Sequence, residues 1–370
     1  MDAQEYINKY GGKLGGWFFL RDIGGFERYL LPLYYVLPDM DGYSLEKILP
    51  KNIVDNWILR ASHPNDHEGL VDILESPTVI GFNEPRNVVL DLFKTKIQWM
   101  RDESNKPEIF AFSEYEGQKY DGKIRIGIQP LNHGQRGSIV EYPHERDTYL
   151  IDLVTKQTGH QITDMDRIVL VGNNIDEENS FILSYPFRIG HETEELAKKI
   201  VELYKKVRET SFINQDYSFQ MEFGVNKVEF EDKDRILFFQ ARPFLKFAEP
   251  PFEIKKDKKE YGCFGITKEE GVVLPVVKTL YGEGVNNIPE YFAWTPRIMT
   301  RMDPKVMPKN IGAFIPDGIR AYSLEHNAYR WVRKAQVSIL DQFADIEEYK
   351  TGDRIRVISN GLNYKLDKVT

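Results

Sequence analysis

Helices and strands alternate in two successive blocks separated by a charged, proline-led tract, which predicts a multidomain chain of the α/β and α+β classes. Three observations carry that expectation. Glu192–Glu209, ETEELAKKIVELYKKVRE, has the apolar spacing of a helix. KIRIGIQPL and RIVLVG in the first block, and GVVLPVVK and DRIRVIS in the second, read as strands. Between the blocks stands AEPPFEIKKDKKEYG, Ala248–Gly262, where a double proline and a lysine-rich run suit a solvated linker. The expected division is residues 1–247 as one unit, 248–260 as linker and 261–370 as a smaller unit.

The bulk composition fits such a chain and excludes several functions. Its 370 residues accommodate two or three domains. With 41% hydrophobic and 29% charged residues it has the balance of a globular protein with cores to bury. A formal net charge of −8 argues against nucleic acid or an anionic membrane as the main partner. No apolar run approaches the roughly 18 residues a membrane span needs, and the longest candidate, Tyr29–Leu37, carries Pro32. The start, MDAQEYINKY, is polar and acidic, unlike a signal peptide. The single cysteine, Cys263, excludes an internal disulfide and a multi-cysteine metal site. A cytoplasmic location is the simplest expectation.

Chemistry concentrates in ILFFQARPF, Ile236–Phe244, where an apolar strand is interrupted by an amide and a guanidinium. Upstream lies SFQMEFGVNKVEFEDKDR, and its Glu231–Asp234 reads as a turn, so Ser218–Val225 and Arg235–Phe244 form an antiparallel hairpin. A turn centred near residue 231 sets Glu222 opposite Gln240 and Gln220 opposite Arg242. Phe219, Met221, Phe223, Leu237, Phe239 and Ala241 then share a core face. Gln220, Glu222, Phe238, Gln240 and Arg242 share the other. Carboxylate and amide oxygens are hard ligands that Mg²⁺ accepts, and an arginine fork suits phosphate. The same pattern also suits a polar outer face with cross-strand hydrogen bonds.

Taken together, QMEFG and FFQARPF resemble the closing hairpin of the ATP-grasp domain in the phosphoenolpyruvate synthase, pyruvate phosphate dikinase and rifampicin phosphotransferase family. The resemblance places Glu222 and Gln240 on the family's metal ligands and Arg242 on a phosphate-contacting arginine. YGGKLGGWFFLRD resembles the family's N-terminal segment and puts Lys13 on the phosphate lysine; LPLYYVLP resembles the strand that follows. ILRASHPND puts Arg60 on a second phosphate arginine, and IGIQPLNHGQRGSIVEYP puts Gln129 and Leu131 on the hinge beside adenine. In the second block GCFGITKEEGVVLPVV, DGIRAYSLEHNAYRW and YKTGDRIRVISNG resemble the family's swivelling phosphohistidine domain, with His326 on the phosphorylated histidine.

The implied fold is an ATP-grasp domain followed by a small swivelling β/α domain. The implied activity is an ATP-dependent, AMP-forming phosphotransferase with Mg²⁺ as cofactor. His326 takes phosphate from Mg-ATP and delivers it to an acceptor on a separate subunit or to a small molecule. No segment resembles the family's phosphoenolpyruvate-binding barrel. Other departures are Gln220 in place of an acidic residue, RGSIVEYPHERD in place of the family's SGvxFTxxP segment with no GxGE loop after it, and EHNA in place of SHAA. The altered SGvxFTxxP segment and the missing GxGE loop favour an alternative, a nucleotide-binding regulatory or scaffolding subunit with decayed catalysis, which the retention of Lys13, Glu222, Gln240, Arg242 and His326 disfavours. A third reading is a ligase that works through an acyl phosphate and releases ADP.

Taken singly, the residues have plainer readings. A lone histidine such as His326 suits a surface or a satisfied core, Lys13 a glycine turn and Arg60 a structural ion pair. His63 and His67, with Asp66 and Glu68, lack the third well-placed ligand of a metal site.

Overall fold

The structure, a computed structural model, describes residues 1–37, 42–51, 56–63, 78–79, 84–104, 124–131, 135–142, 146–158, 161–177, 180, 191–211, 213, 215–226, 235–246, 261–264, 272–277, 291–295, 311–316, 338–340, 350, 352–359 and 363–369. The expected linker, 248–260, lies outside them. The chain divides into two compact units. The first comprises Met1–Arg136, Lys205–Asn214 and Met221–Pro243; the second comprises Gly137–Tyr204, Gln215–Gln220 and Phe244–Thr370.

The first unit opens with helix α1 (Ala3–Tyr10), started by a reciprocal capping box between Asp2 and Glu5. Gly11 ends it at φ 84°, a left-handed conformation that favours glycine, and α2 (Gly12–Arg21) follows directly. The segment expected as a glycine turn around Lys13 is therefore helical. Its glycines serve close packing instead. A Cβ on Gly16 would overlap the backbone carbonyl of Ala241, and one on Gly15 would come within 2.7 Å of the Tyr6 carbonyl oxygen.

Four antiparallel strands form this unit's sheet in the order β1 (Tyr34–Val36), β4 (Arg125–Pro130), β2 (Trp57–Ser62), β3 (Thr78–Val79). The period of two along β2 sends Trp57, Leu59 and Ala61 to one face. There they join Ile126 and Ile128 of β4 and Val89, Phe93, Ile97 and Met100 of α4 (Arg86–Ser104) in a closed core. Leu45 and Leu49, in and just after α3 (Gly42–Ile48), complete it. The Ile58 and Arg60 face of β2 is left for other work.

In the second unit, β5 (Gln135–Glu141, from Gly137 on), β6 (Thr148–Thr158), β7 (Gln161–Val171) and β8 (Asn174–Ile175) succeed one another as antiparallel neighbours, with the start of β9 (Tyr217–Val225) beside β5. The periodic helix expected at 192–209 is α5, His191–Arg208, and its Tyr204 ring stacks on Phe219 at 4.0 Å.

Farther along the chain, β11 (Tyr261–Phe264), β12 (Val272–Val277), β13 (Tyr291–Thr295), β14 (Ile311–Pro316), β15 (Ser338–Leu340), β16 (Arg354–Ser359) and β17 (Asn363–Val369) close into a barrel. Its order is β11-β15-β14-β13-β12-β16-β17. Parallel pairing runs from β12 through β15, and β11, β16 and β17 pair antiparallel. Among the described residues no helix is long and apolar enough to cross a membrane.

Candidate functional site

On the face of β2 turned away from the closed core, Arg60 lies opposite Gly127, and Ile58 opposite Gln129. Arg60 reaches diagonally across this register, and its Nε donates to Oε1 of Gln129 at 3.0 Å. Gly127 leaves room for the neighbours on this face; a Cβ there would meet Leu14 at 2.6 Å and Leu33 at 2.7 Å. The guanidinium of Arg60 also lies 5.9 Å from the ring of Phe239.

Charge gathers at the same place. Burial draws the Arg60 guanidinium down to about 10, the carboxylate of Glu222 opposes that shift, and the cation of Arg136 adds to it. Arg60, half-buried on its strand, therefore stays charged at neutral pH, a state that favours an anionic partner. Arg136 Nη2 stands 4.0 Å from Glu222 Oε2, the glutamate buried and the arginine partly exposed. Glu222 thus lies 4.0 Å from one guanidinium and within the electrostatic reach of a second. Arg136 heads β5 within RGSIVEYP, and reading the sequence by motif passed over it. The available signal was a single cation near the start of a mostly buried strand.

The hairpin settles one open choice from the sequence. Gln220, Glu222 and Gln240 are 1%, 4% and 3% exposed, so they do not form a wet outer face. The hairpin also differs from the expected register. β9 ends at Val225 and β10 (Ile236–Lys246) begins at Ile236, with the Asn226 N–H donating to the Arg235 carbonyl at 2.8 Å. The rings of Phe223 and Phe238 meet edge to face at 5.8 Å, which requires them on one face. At this end the pairing is offset by one residue from the expected register, so Glu222 comes opposite Phe239 rather than Gln240. Phe238 leaves the face assigned to it because it packs between Phe223 and Phe26, the latter at 5.5 Å. Phe239 turns to the side where Arg60 lies. Continued without a bulge, this register turns Gln240 to the face of Phe238; it joins Glu222 only across a bulge in β10.

The remaining predicted residues fall as follows. Lys13 lies in the first turn of α2, which is fastened to the end of β2 by Gly12 N–H to the His63 carbonyl at 2.9 Å and by Leu14 N–H to Ser62 Oγ at 3.1 Å. Leu131 follows β4, and its N–H donates to the Asn56 carbonyl at 2.6 Å, so that hinge donor is taken by the protein. Arg242 has its backbone in β10, while its side chain and all of His326 lie outside the described residues. The structure thus brings together Arg60, Gln129, Glu222 and Arg136.

As a metal site, the cluster offers one buried carboxylate, Glu222, since the carbonyl oxygen of Gln129 is engaged by Arg60. Among the described residues no group of three or more His, Cys, Asp or Glu side chains is placed to hold an ion. That donor set fits Mg²⁺ carried by a phosphate ligand, since Mg²⁺ binds through one or two carboxylates plus substrate oxygens and water.

No family model matches the sequence, and no curated protein does. Among solved structures the chain is similar to L-amino acid ligase from Bacillus licheniformis, at 10% identity and TM-score 0.34 over 64% of this chain and 43% of that one. It is also similar to D-alanine-D-alanine ligase from Helicobacter pylori, at 12% identity and TM-score 0.31 over 64% and 54%. A third is N5-carboxyaminoimidazole synthetase from Staphylococcus aureus complexed with ADP, at 10% identity and TM-score 0.33 over 63% and 43%. The chain spans about half the length of these structures. At these scores the similarity assigns it neither a family nor an activity.

Proposed function

We propose that the chain is an ATP-utilising enzyme of the ATP-grasp type, binding Mg-ATP on the first unit and moving a phosphoryl group from it. The observation that carries this reading is the cluster around Glu222: a buried carboxylate with one guanidinium 4.0 Å away and a second, half-buried one, fixed by Gln129, within its electrostatic reach. Such an arrangement suits a ligand bearing both cation and anion, and Mg-polyphosphate is one. Bound Mg²⁺ would supply charge neutralisation across the β- and γ-phosphates. Glu222 would hold it, Arg60, Arg136, Lys13 and Arg242 would take phosphate oxygens, and Gln240 would join as second ligand across a bulge in β10. Positioning and neutralisation supply most of the rate in such transfers.

The finer reading is a dikinase-like relay. His326 attacks the β-phosphorus, an N–P bond forms as the α–β bridging P–O bond breaks, and AMP departs. Water then takes the γ-phosphoryl group as inorganic phosphate. The remaining phosphoryl group passes to an acceptor on another subunit or a small molecule, with the barrel-bearing segment 261–370 acting as the swivelling domain. ATP labelled at the β- or γ-phosphate, offered to the wild type and His326→Ala, tests this relay. Acid-labile β-label on the wild type alone, with AMP released, is the expected result. ADP as the sole nucleotide product would exclude the relay and point to acyl-phosphate ligase chemistry.

A second reading, a nucleotide-binding regulatory subunit with decayed catalysis, is favoured by Gln220 at a position the family fills with an acid and by the engaged N–H of Leu131. Calorimetric Mg-ATP binding without any nucleotide product would select it.

A further inference from the structure

Gln129 was placed by resemblance beside the adenine, yet its carboxamide is bonded to a guanidinium. We propose that Gln129 is a positioning residue for the phosphate end of the ligand: it holds Arg60 in place without neutralising it and offers its own N–H₂ to the same polyphosphate. This rests on the nucleotide reading above and specifies which part of the ligand this corner receives.

The orientation of the amide follows from its partner. Arginine has donors only, so the atom that accepts from Arg60 Nε at 3.0 Å is the carbonyl oxygen, and the amide nitrogen points the other way. Gln129 is 1% exposed, and its Nε2 has no hydrogen-bond partner among the described residues. A buried donor left unmatched costs about 1–3 kcal/mol, and that cost is removed when a ligand oxygen arrives. A carboxylate at this position would have held Arg60 equally well, but it would have cancelled its charge. With an amide there, Arg60 and Arg136 face only Glu222 among the three ionised groups of the cluster, which leaves one positive charge for an anion. Partial burial disfavours the Arg60 charge, so an incoming anion gains from pairing with it. The ring of Phe239, 5.9 Å from the guanidinium, is within cation–π distance of it.

Two near-isosteric substitutions separate the roles. Gln129→Glu keeps the acceptor for Arg60 and adds a negative charge; Gln129→Met removes both acceptor and donor. Calorimetry is run on the full chain with Mg-ATP, tripolyphosphate and adenosine, with thermal unfolding of each variant in parallel. We expect both variants to lose at least 10-fold in affinity for Mg-ATP and tripolyphosphate, with Gln129→Glu the weaker binder, and to keep adenosine affinity within 2-fold. Unfolding midpoints should stay close to wild type for Gln129→Glu. Equal losses for adenosine and the phosphate ligands, or unchanged phosphate affinity, would overturn the proposal and return Gln129 to the base. If the wild type binds tripolyphosphate but not Mg-ATP, the nucleotide reading fails while the phosphate role of Gln129 stands or falls on the same variants. Binding of neither ligand by the wild type would overturn both.

Discussion

Two buried glutamates, one in each unit, show how the same side chain is satisfied in different ways. Glu141 of the second unit is bonded to backbone and hydroxyl groups. Its Oε1 accepts from the Asp147 N–H at 3.0 Å, its own N–H donates to the Tyr204 hydroxyl at 3.1 Å, and its carbonyl accepts from Ser218. Tyr204 passes its proton on to the Phe219 carbonyl at 2.8 Å, and the Tyr149 hydroxyl donates to Asp147 at 3.0 Å. The network also holds Asp147 at φ 60°, an uncommon backbone state for a residue with a side chain. Glu222 of the first unit instead faces two guanidiniums, one of them 4.0 Å away. A pair at that distance is loose by the standards of a charge-assisted hydrogen bond. The Glu141 network ties backbone together, whereas the Glu222 cluster gathers ionised groups of both signs. The first arrangement suits a structural role and the second suits a ligand.

The largest expected effect is on chemistry. Glu222→Gln should lower nucleotide turnover by on the order of 100-fold, as loss of a preorganised electrostatic group does, while the unfolding midpoint moves little. Steady-state kinetics beside thermal melting checks both parts. A large fall in stability with turnover intact would assign Glu222 the role given to Glu141.

Next comes the packing that carries α2. Gly16→Ala must displace the backbone carbonyl of Ala241, which a flexible side chain cannot relieve. Overpacking of this kind costs about 1–3 kcal/mol, and the upper end is expected here. Because α2 carries Lys13 and β10 carries Gln240, denaturant unfolding and ligand affinity should fall together in this variant.

Smaller is the effect of Tyr204→Phe, which strands the buried Glu141 N–H and Phe219 carbonyl. A loss of about 1–2 kcal/mol in denaturant unfolding is expected, with Mg-ATP affinity unchanged.

The smallest effect is a slope. Burial, then the charge of Glu141, raise the Tyr149 hydroxyl above its ordinary range. A raised folded value means the neutral hydroxyl contributes stability that is fully present below about pH 10, the ordinary tyrosine value, and is lost as pH rises beyond it. Tyr149→Phe should therefore flatten the decline in stability between pH 9 and 11. An unaltered slope would remove Tyr149 from the network.

Several of these features were readable in the chain and others were not. The period of β2 and the helix His191–Arg208 follow from apolar spacing, a local property. Residues Gln220, Glu222 and Gln240 announced themselves by being polar inside apolar strands. Register was harder, because it depends on a turn whose length the sequence leaves loose and on a tertiary contact. Phe26 lies more than 200 residues before Phe238, and their packing, with Phe223, fixes a pairing that parity alone cannot. Long-range contact likewise explains why the glycines around Lys13 are helical: they meet Tyr6 and Ala241 and are not needed for a loop. Arg136 escaped notice because its significance is Glu222, distant in sequence and close in space.

The central claim is that Glu222, with the guanidiniums beside it, receives a magnesium-bound nucleotide. Titration of Mn²⁺ into the protein with ATP, followed by electron paramagnetic resonance, tests it directly. Wild type should immobilise the ion only when ATP is present, and Glu222→Gln should bind the Mn-ATP complex at least 10-fold more weakly. Equal immobilisation by both proteins, or none by the wild type at millimolar ATP, would contradict the account.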